Sequence, residues 1–293
     1  KTYDPQPVPT LPLELQKTGL EMYGAKTKNF TVFVRGTQEN ADDVVEWCER
    51  ALDFLDFVVG DSHTRTKQLA RRRMAGWGWI GILWTEPEMR KFLNANPSLV
   101  KDRQGKYFNL NFQSNKKTCQ VAHINMPSYM HDFLIAHVFH YGLGSGNLNN
   151  IGVLEGIHHA ATWFLKSTCF AKFGAEPKGT VSSNKKSLPE GANWWLREMR
   201  NQAIAGNDVA LNVVPRTELY KFHADVRLKT WSFGVWAMAR FPDTWLNFAR
   251  KCPHNKIPFP SEIDAIGAKV FGIPLEQVEA EWRQWASGRG VSA

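Results

Sequence analysis

Five of the nine histidines, His131, His137, His140, His158 and His159, fall between residues 131 and 159, and Glu155 lies among them. Imidazole and carboxylate are the donors that zinc and similar divalent cations take from proteins. In LIAHVFHYGL (134–143), His137 and His140 are three residues apart in an apolar run that reads as a helix. Three helical residues turn about 300° and rise about 4.5 Å, so the two rings share a face. Glu155 and His158 repeat that spacing in IGVLEGIHHAATWFLKS (151–167), and E-x-x-H pairs on facing helices serve as metal ligands in bundles. The same spacing equally suits hydrogen-bonded core histidines, so both readings stand at this point. His131 lies about 240° round from His137 and belongs to another face. His63, His123, His223 and His254 are isolated in the sequence and carry no assigned role.

Two helices must position these groups. Pro127 opens the first, where a proline is tolerated, and Gly142, Gly144 and Gly146 close it. Ahead of it, NFTVFVRG (29–36) alternates like a strand, and residues 39–60 place Val44, Cys48, Ala51, Leu52, Leu55 and Val59 at helical spacing up to Gly60. GWGWIGILW (76–84) reads as a strand, and Thr85 with Glu88 opens a helix with a capping-box pattern. KYFNLNFQ and TCQVAHINM read as a hairpin joined by SNKK. After the second histidine helix only helical patterns follow: GANWWLREMRNQAIAG, RLKTWSFGVWAMARF, SEIDAIGAKVF and PLEQVEAEWRQWA.

The expected fold class is therefore α+β, a mixed β-sheet lobe with helices followed by a mainly α-helical lobe. Residues 1–28 are expected to be an extended, proline-rich arm lying on the body or on a partner, too rich in proline for helix or central strand. Residues 29–146 form the α/β lobe ending in the first histidine helix, and 147–293 the helical lobe.

With 43% hydrophobic and 22% charged residues, the chain belongs with globular proteins rather than disordered ones. No apolar run approaches the roughly 18 residues of a membrane span, so none is expected. The four cysteines have no C-x-x-C spacing, which removes zinc ribbons and dithiol redox motifs. Cys48 and Cys119 read as reduced core residues, although an exported protein leaves one or two disulfides open. The chain begins at Lys1 without a methionine, which suits removal of a signal peptide, and export to the periplasm or exterior is the expectation. The net charge of +8 concentrates in RTKQLARRR (65–73) and at Lys185 and Lys186, which suits a solvated surface or the binding of nucleic acid or acidic polymers.

The order of elements, and the pair IAHVFHYGL with VLEGIHHAATWFL, resembles the gluzincin zinc peptidases, in particular the peptidase-MA-like group. That family carries AHE-x-x-H on one helix and W-L-x-E-G-x-A on the next. Leu154-Glu155-Gly156 matches the second motif, RLKTWSFGVWAMARF resembles the family's Y-x-Q-S-W helix, and VFGIPLEQVEAEWRQW resembles its terminal segment. The likeness spans roughly residues 29–287 and implies a gluzincin-like fold.

The departures fall where the chemistry belongs. Aligned without a gap, His140 takes the family's second histidine, Ala136 its first, and His137 its catalytic glutamate. Aligning His137 as the first ligand deletes one residue and turns that side chain by about 100°. Either way the carboxylate base is missing, and Arg227 stands in place of the family's tyrosine. A rearranged set of His140, Glu155 and His158, with His137 as a further candidate, is the remaining route to a metal. The leading expectation is thus a degenerate metallopeptidase-like protein that binds protein partners in an assembly, with no catalytic residue, no cofactor, and a vestigial pocket at His137 and Arg227. The alternative is an active zinc metallopeptidase with the rearranged ligands.

Overall fold

The computed structural model describes residues 2–59, 76–99, 109–124, 127–143, 151–167, 192–217, 224–253 and 258–288. The basic stretch 65–73, Lys185, Lys186, Cys169 and the loop 174–190 lie outside them. The chain divides into two compact units, residues 1–53 with 69–138, and residues 54–68 with 139–293. An N-terminal mixed sheet and a mostly helical C-terminal part result.

In the first unit, six strands run in the order β1-β2-β3-β4-β6-β5. They are β1 (Gln6–Pro7), β2 (Tyr23–Lys26), β3 (Thr31–Val34), β4 (Trp77–Leu83), β5 (Asn109–Ser114) and β6 (Lys117–His123). The central strands β3, β4 and β6 are parallel, while β1, β2 and β5 join antiparallel. Parallel strands buried on both faces read as continuous apolar runs, which is why WGWIGIL and TVFV carry so few polar groups. Phe33, Trp79, Leu83, Cys119 and Val121 enter one core with Met89 and Phe92, while Val32, Val34, Ile80, Ile82 and Ala122 are buried on the opposite face.

Helix α2 (Gln38–Val59) starts in this unit, and its buried Glu49 accepts hydrogen bonds from the Thr27 hydroxyl and from the backbone and side-chain N–H groups of Asn29. Helix α3 (Glu86–Ala95) opens on Thr85 with the expected capping box. The hairpin between β5 and β6 turns on Asn115 and Lys116, both at positive φ, the pair of conformations that a twisted two-residue hairpin turn demands.

The arm differs from its expectation. Residues 2–22 do run along this unit, but Leu13–Gln16 forms a short helix α1 and Tyr23–Lys26 is an interior strand. Proline confines only the β1 edge, and Gly24 lets Val8 approach so closely that a Cβ there would lie 2.5 Å from the Val8 carbonyl oxygen. Ser114 donates to the Glu14 carboxylate, Asn96 donates to the Glu14 carbonyl, and Leu15 is fully buried, so the segment is tied down by side chains well beyond its proline run.

Helix α4 (Pro127–Leu143) ends in the second unit, which holds α5 (Ile151–Lys166), α6 (Ala192–Ala205), a 3-10 turn (Leu211–Arg216), α7 (Ala224–Arg240), α8 (Pro242–Lys251), α9 (Pro260–Phe271) and α10 (Leu275–Ser287). Helix α8 is an element that the sequence patterns above do not include. Trp195, Trp231, Trp236, Trp245 and Trp282 are buried here and Trp47 and Trp79 in the first unit, so packing claims at least seven of the twelve. Cys48, Cys119 and Cys252 are free, buried thiols, as expected of the first two. No described helix is long and apolar enough to cross a membrane.

Candidate metal centre

Helix α5 exists because Val153, Ile157, Ala160 and Ala161 form its buried stripe. On the opposite face a carboxylate and two imidazoles are buried as well: Glu155, His158 and His159 are 4%, 8% and 3% exposed. Positions i, i+3 and i+4 lie on one helix face, so the three side chains meet by local geometry alone. The fourth member comes from α4, whose last turn carries His140, about a third exposed.

Glu155 is the hub. Its Oε1 lies 3.4 Å from His140 Nε2 and its Oε2 lies 3.4 Å from His158 Nε2, with His159 Nε2 at 3.7 Å from the same Oε2. The His140 and His158 rings are 5.4 Å apart, and those of His158 and His159 4.1 Å. One ligand atom from each of His140, Glu155 and His158 fits within 4.8 Å of the others, so the rearranged set inferred from the sequence does converge. His137 is not part of that group. It belongs to the first unit, where its buried ring meets Trp77 edge-on at 4.5 Å and lies against Phe133.

The electrostatics follow from burial. Burial alone would raise the Glu155 carboxyl, but His158, His140 and Arg227 together outweigh it and hold Glu155 below its ordinary range. Burial pushes His158 well below the imidazole range despite the pull of Glu155, and burial, Arg227 and His140 push His159 down to about 3. An ionised Glu155 beside a neutral His158 is a state in which such groups ligate cations.

Why Glu155 sits near Arg227 is a matter of glycines. A Cβ on Gly156 would lie 2.8 Å from the Thr230 carbonyl oxygen, and one on Gly234 would lie 2.4 Å from the Gly156 carbonyl oxygen. Helices α5 and α7 therefore cross backbone to backbone, which carries Arg227 of α7 into the field of Glu155 and His159. Gly156 of the LEG motif thus has a packing reason.

No family model matches the chain, and neither a curated protein nor a solved structure matches it. The site has to be read from its own groups. With zinc–ligand bonds of about 2.0–2.1 Å, neighbouring donors of a tetrahedron stand about 3.3–3.4 Å apart. The two 3.4 Å separations involve different oxygens of Glu155, so at most one of them is an edge of such a tetrahedron, and one ligand atom from each residue lies within 4.8 Å of the others. Two imidazoles and a carboxylate are donor types that a zinc-class cation takes.

The other expected histidine, His131, is placed elsewhere as its angle implied: its Nε2 is 2.7 Å from Asp43 and its ring stacks on Trp47. His123 is buried at the end of β6. A second polar cluster escaped the sequence reading. Lys229, fully buried on α7, reaches Asp208 Oδ2 at 2.7 Å and Glu279 Oε1 at 3.2 Å, with its ammonium 3.6 Å from the centre of the Trp282 ring. Arg283 donates to both Asp208 oxygens. A lone lysine within an apolar helix is the only trace of this network in the sequence, since its partners lie far along the chain.

Proposed function

We propose that this chain is a metallopeptidase-like scaffold without hydrolytic activity, which acts by binding protein partners within an assembly. The observation that carries the reading is the number of carboxylates at the histidines. Among the described residues, the one carboxylate with which His140 and His158 pair is Glu155. Hydrolysis at zinc needs three protein ligands and, besides them, a base that takes the proton from water. Glu155 cannot serve as ligand and base at once, and the residue at the family's base position is His137, which packs against Trp77 and Phe133. Absence of general-base assistance alone costs about 10²–10⁴ in rate. Arg227 adds to this: a permanent cation stands where the family's tyrosine would assist an oxyanion, and its charge opposes a metal.

The test is hydrolysis by the purified full chain, supplied with zinc, of unfolded casein and a mixture of quenched peptides. No cleavage above the zinc-only control is expected. Cleavage that a chelator abolishes and that Glu155→Gln removes would overturn the reading in favour of an active zinc metallopeptidase. One observation favours that second reading, the ligand-like spacing of His140, Glu155 and His158. In it those three residues would hold zinc, and the metal would supply Lewis acidity and an acidified water.

A further inference from the structure

We propose that His140, Glu155 and His158 bind one divalent cation of the zinc class as a structural clip between the last turn of α4 and helix α5. The inference goes beyond the function proposed above, because it holds whether or not any bond is hydrolysed. It also differs from the arrangement the family resemblance implies, in which both histidines come from one helix; here α5 supplies an i, i+3 pair and α4 a single ring.

Three observations carry it. First, the contacts of Glu155 are too long for hydrogen bonds between charged groups, which run at about 2.7–2.9 Å. The same chain makes such a bond elsewhere, His131 to Asp43 at 2.7 Å, so the 3.4 Å separations at Glu155 are a feature of this site. Second, each carboxylate oxygen faces a different imidazole, and one ligand atom from each of the three groups lies within 4.8 Å of the others. Third, His158 is buried with its Nδ1 lacking a hydrogen-bond partner among the described residues. Ligation through that nitrogen would offset the cost of burying it without a partner. Two imidazoles and one carboxylate select zinc and its neighbours over calcium or magnesium, which take oxygen ligands.

The experiment uses the full chain, stripped with a chelator and then titrated with Zn²⁺ against a chromophoric competitor, and with Co²⁺ followed by its visible absorption. One equivalent per chain is expected, with the intense d–d bands of four- or five-coordinate Co²⁺ and a rise in Tm on loading. His158→Ala and His140→Ala should each weaken binding by at least about 100-fold, while His131→Ala should leave it unchanged. If His158→Ala fails to fold, His140→Ala decides, since its partly exposed side chain can be removed at little structural cost. Absence of binding at micromolar zinc, or binding that survives loss of His140, overturns the proposal. Either result is independent of the hydrolysis assay.

Discussion

Replacing Gly234 by alanine tests how α5 and α7 hold the site together. The added methyl would lie 2.4 Å from the Gly156 carbonyl oxygen and 3.0 Å from its carbon. Close C···O contacts in proteins are about 3.3 Å, so relative to the 2.4 Å gap the helices must part by about 0.9 Å. The obstacle is backbone inside a helix and cannot rotate away. Overpacking of this kind costs about 1–3 kcal/mol, and a rigid obstacle places it at the upper end. Alanine returns about 1 kcal/mol through its better helix propensity. The net loss is about 2 kcal/mol, or roughly 4–8 °C in Tm for a unit of this size.

Gly267→Ala is the matched control. There the new methyl meets side-chain atoms of Leu275, the nearest being Cδ1 at 2.8 Å. Leu275 Cδ1 can turn aside, but its Cβ at 3.1 Å is fixed by the backbone, so the propensity gain should offset the strain and leave the variant within about 1 kcal/mol of the parent. Thermal unfolding of both full-length variants, followed by circular dichroism, gives the comparison. A Gly234→Ala protein as stable as Gly267→Ala would refute the account of the crossing, and with it the reason given for the placing of Arg227.

Lys229→Met should cost about 3 kcal/mol in urea unfolding, the low end for a broken buried pair, because Arg283 stays with Asp208 and the Leu211 N–H stays with Glu279; a loss under about 1 kcal/mol would show the network to be incidental. The acid limb of stability should depend on Asp208. Burial raises its carboxyl, but Arg283 and Lys229 outweigh that and hold it below its ordinary value. A carboxyl depressed on folding contributes fully above its unfolded value of about 3.9 and loses that contribution as pH falls through the lower folded value. Unfolding free energy measured from pH 6 downward should therefore fall below about pH 4, and less steeply in Asp208→Asn; identical slopes would refute the assignment.

Local signals in the sequence carried much of this molecule. The Thr85 capping box, the hairpin at Asn115 and Lys116, the period of α2 and the shared face of Glu155 and His158 all depend on residues within a few positions of one another, and short-range backbone geometry is enough to specify them. Strand β2 was hidden because its pairing with β1 and β3 is set by partners and not by its own four residues. Tertiary structure alone decided three things: that His140 reaches Glu155 while His137 packs against Trp77, that two glycines let α5 and α7 touch, and that Lys229 finds Asp208 and Glu279. Each depends on groups brought together from separate helices or strands, and no periodicity along the chain encodes a distance across it.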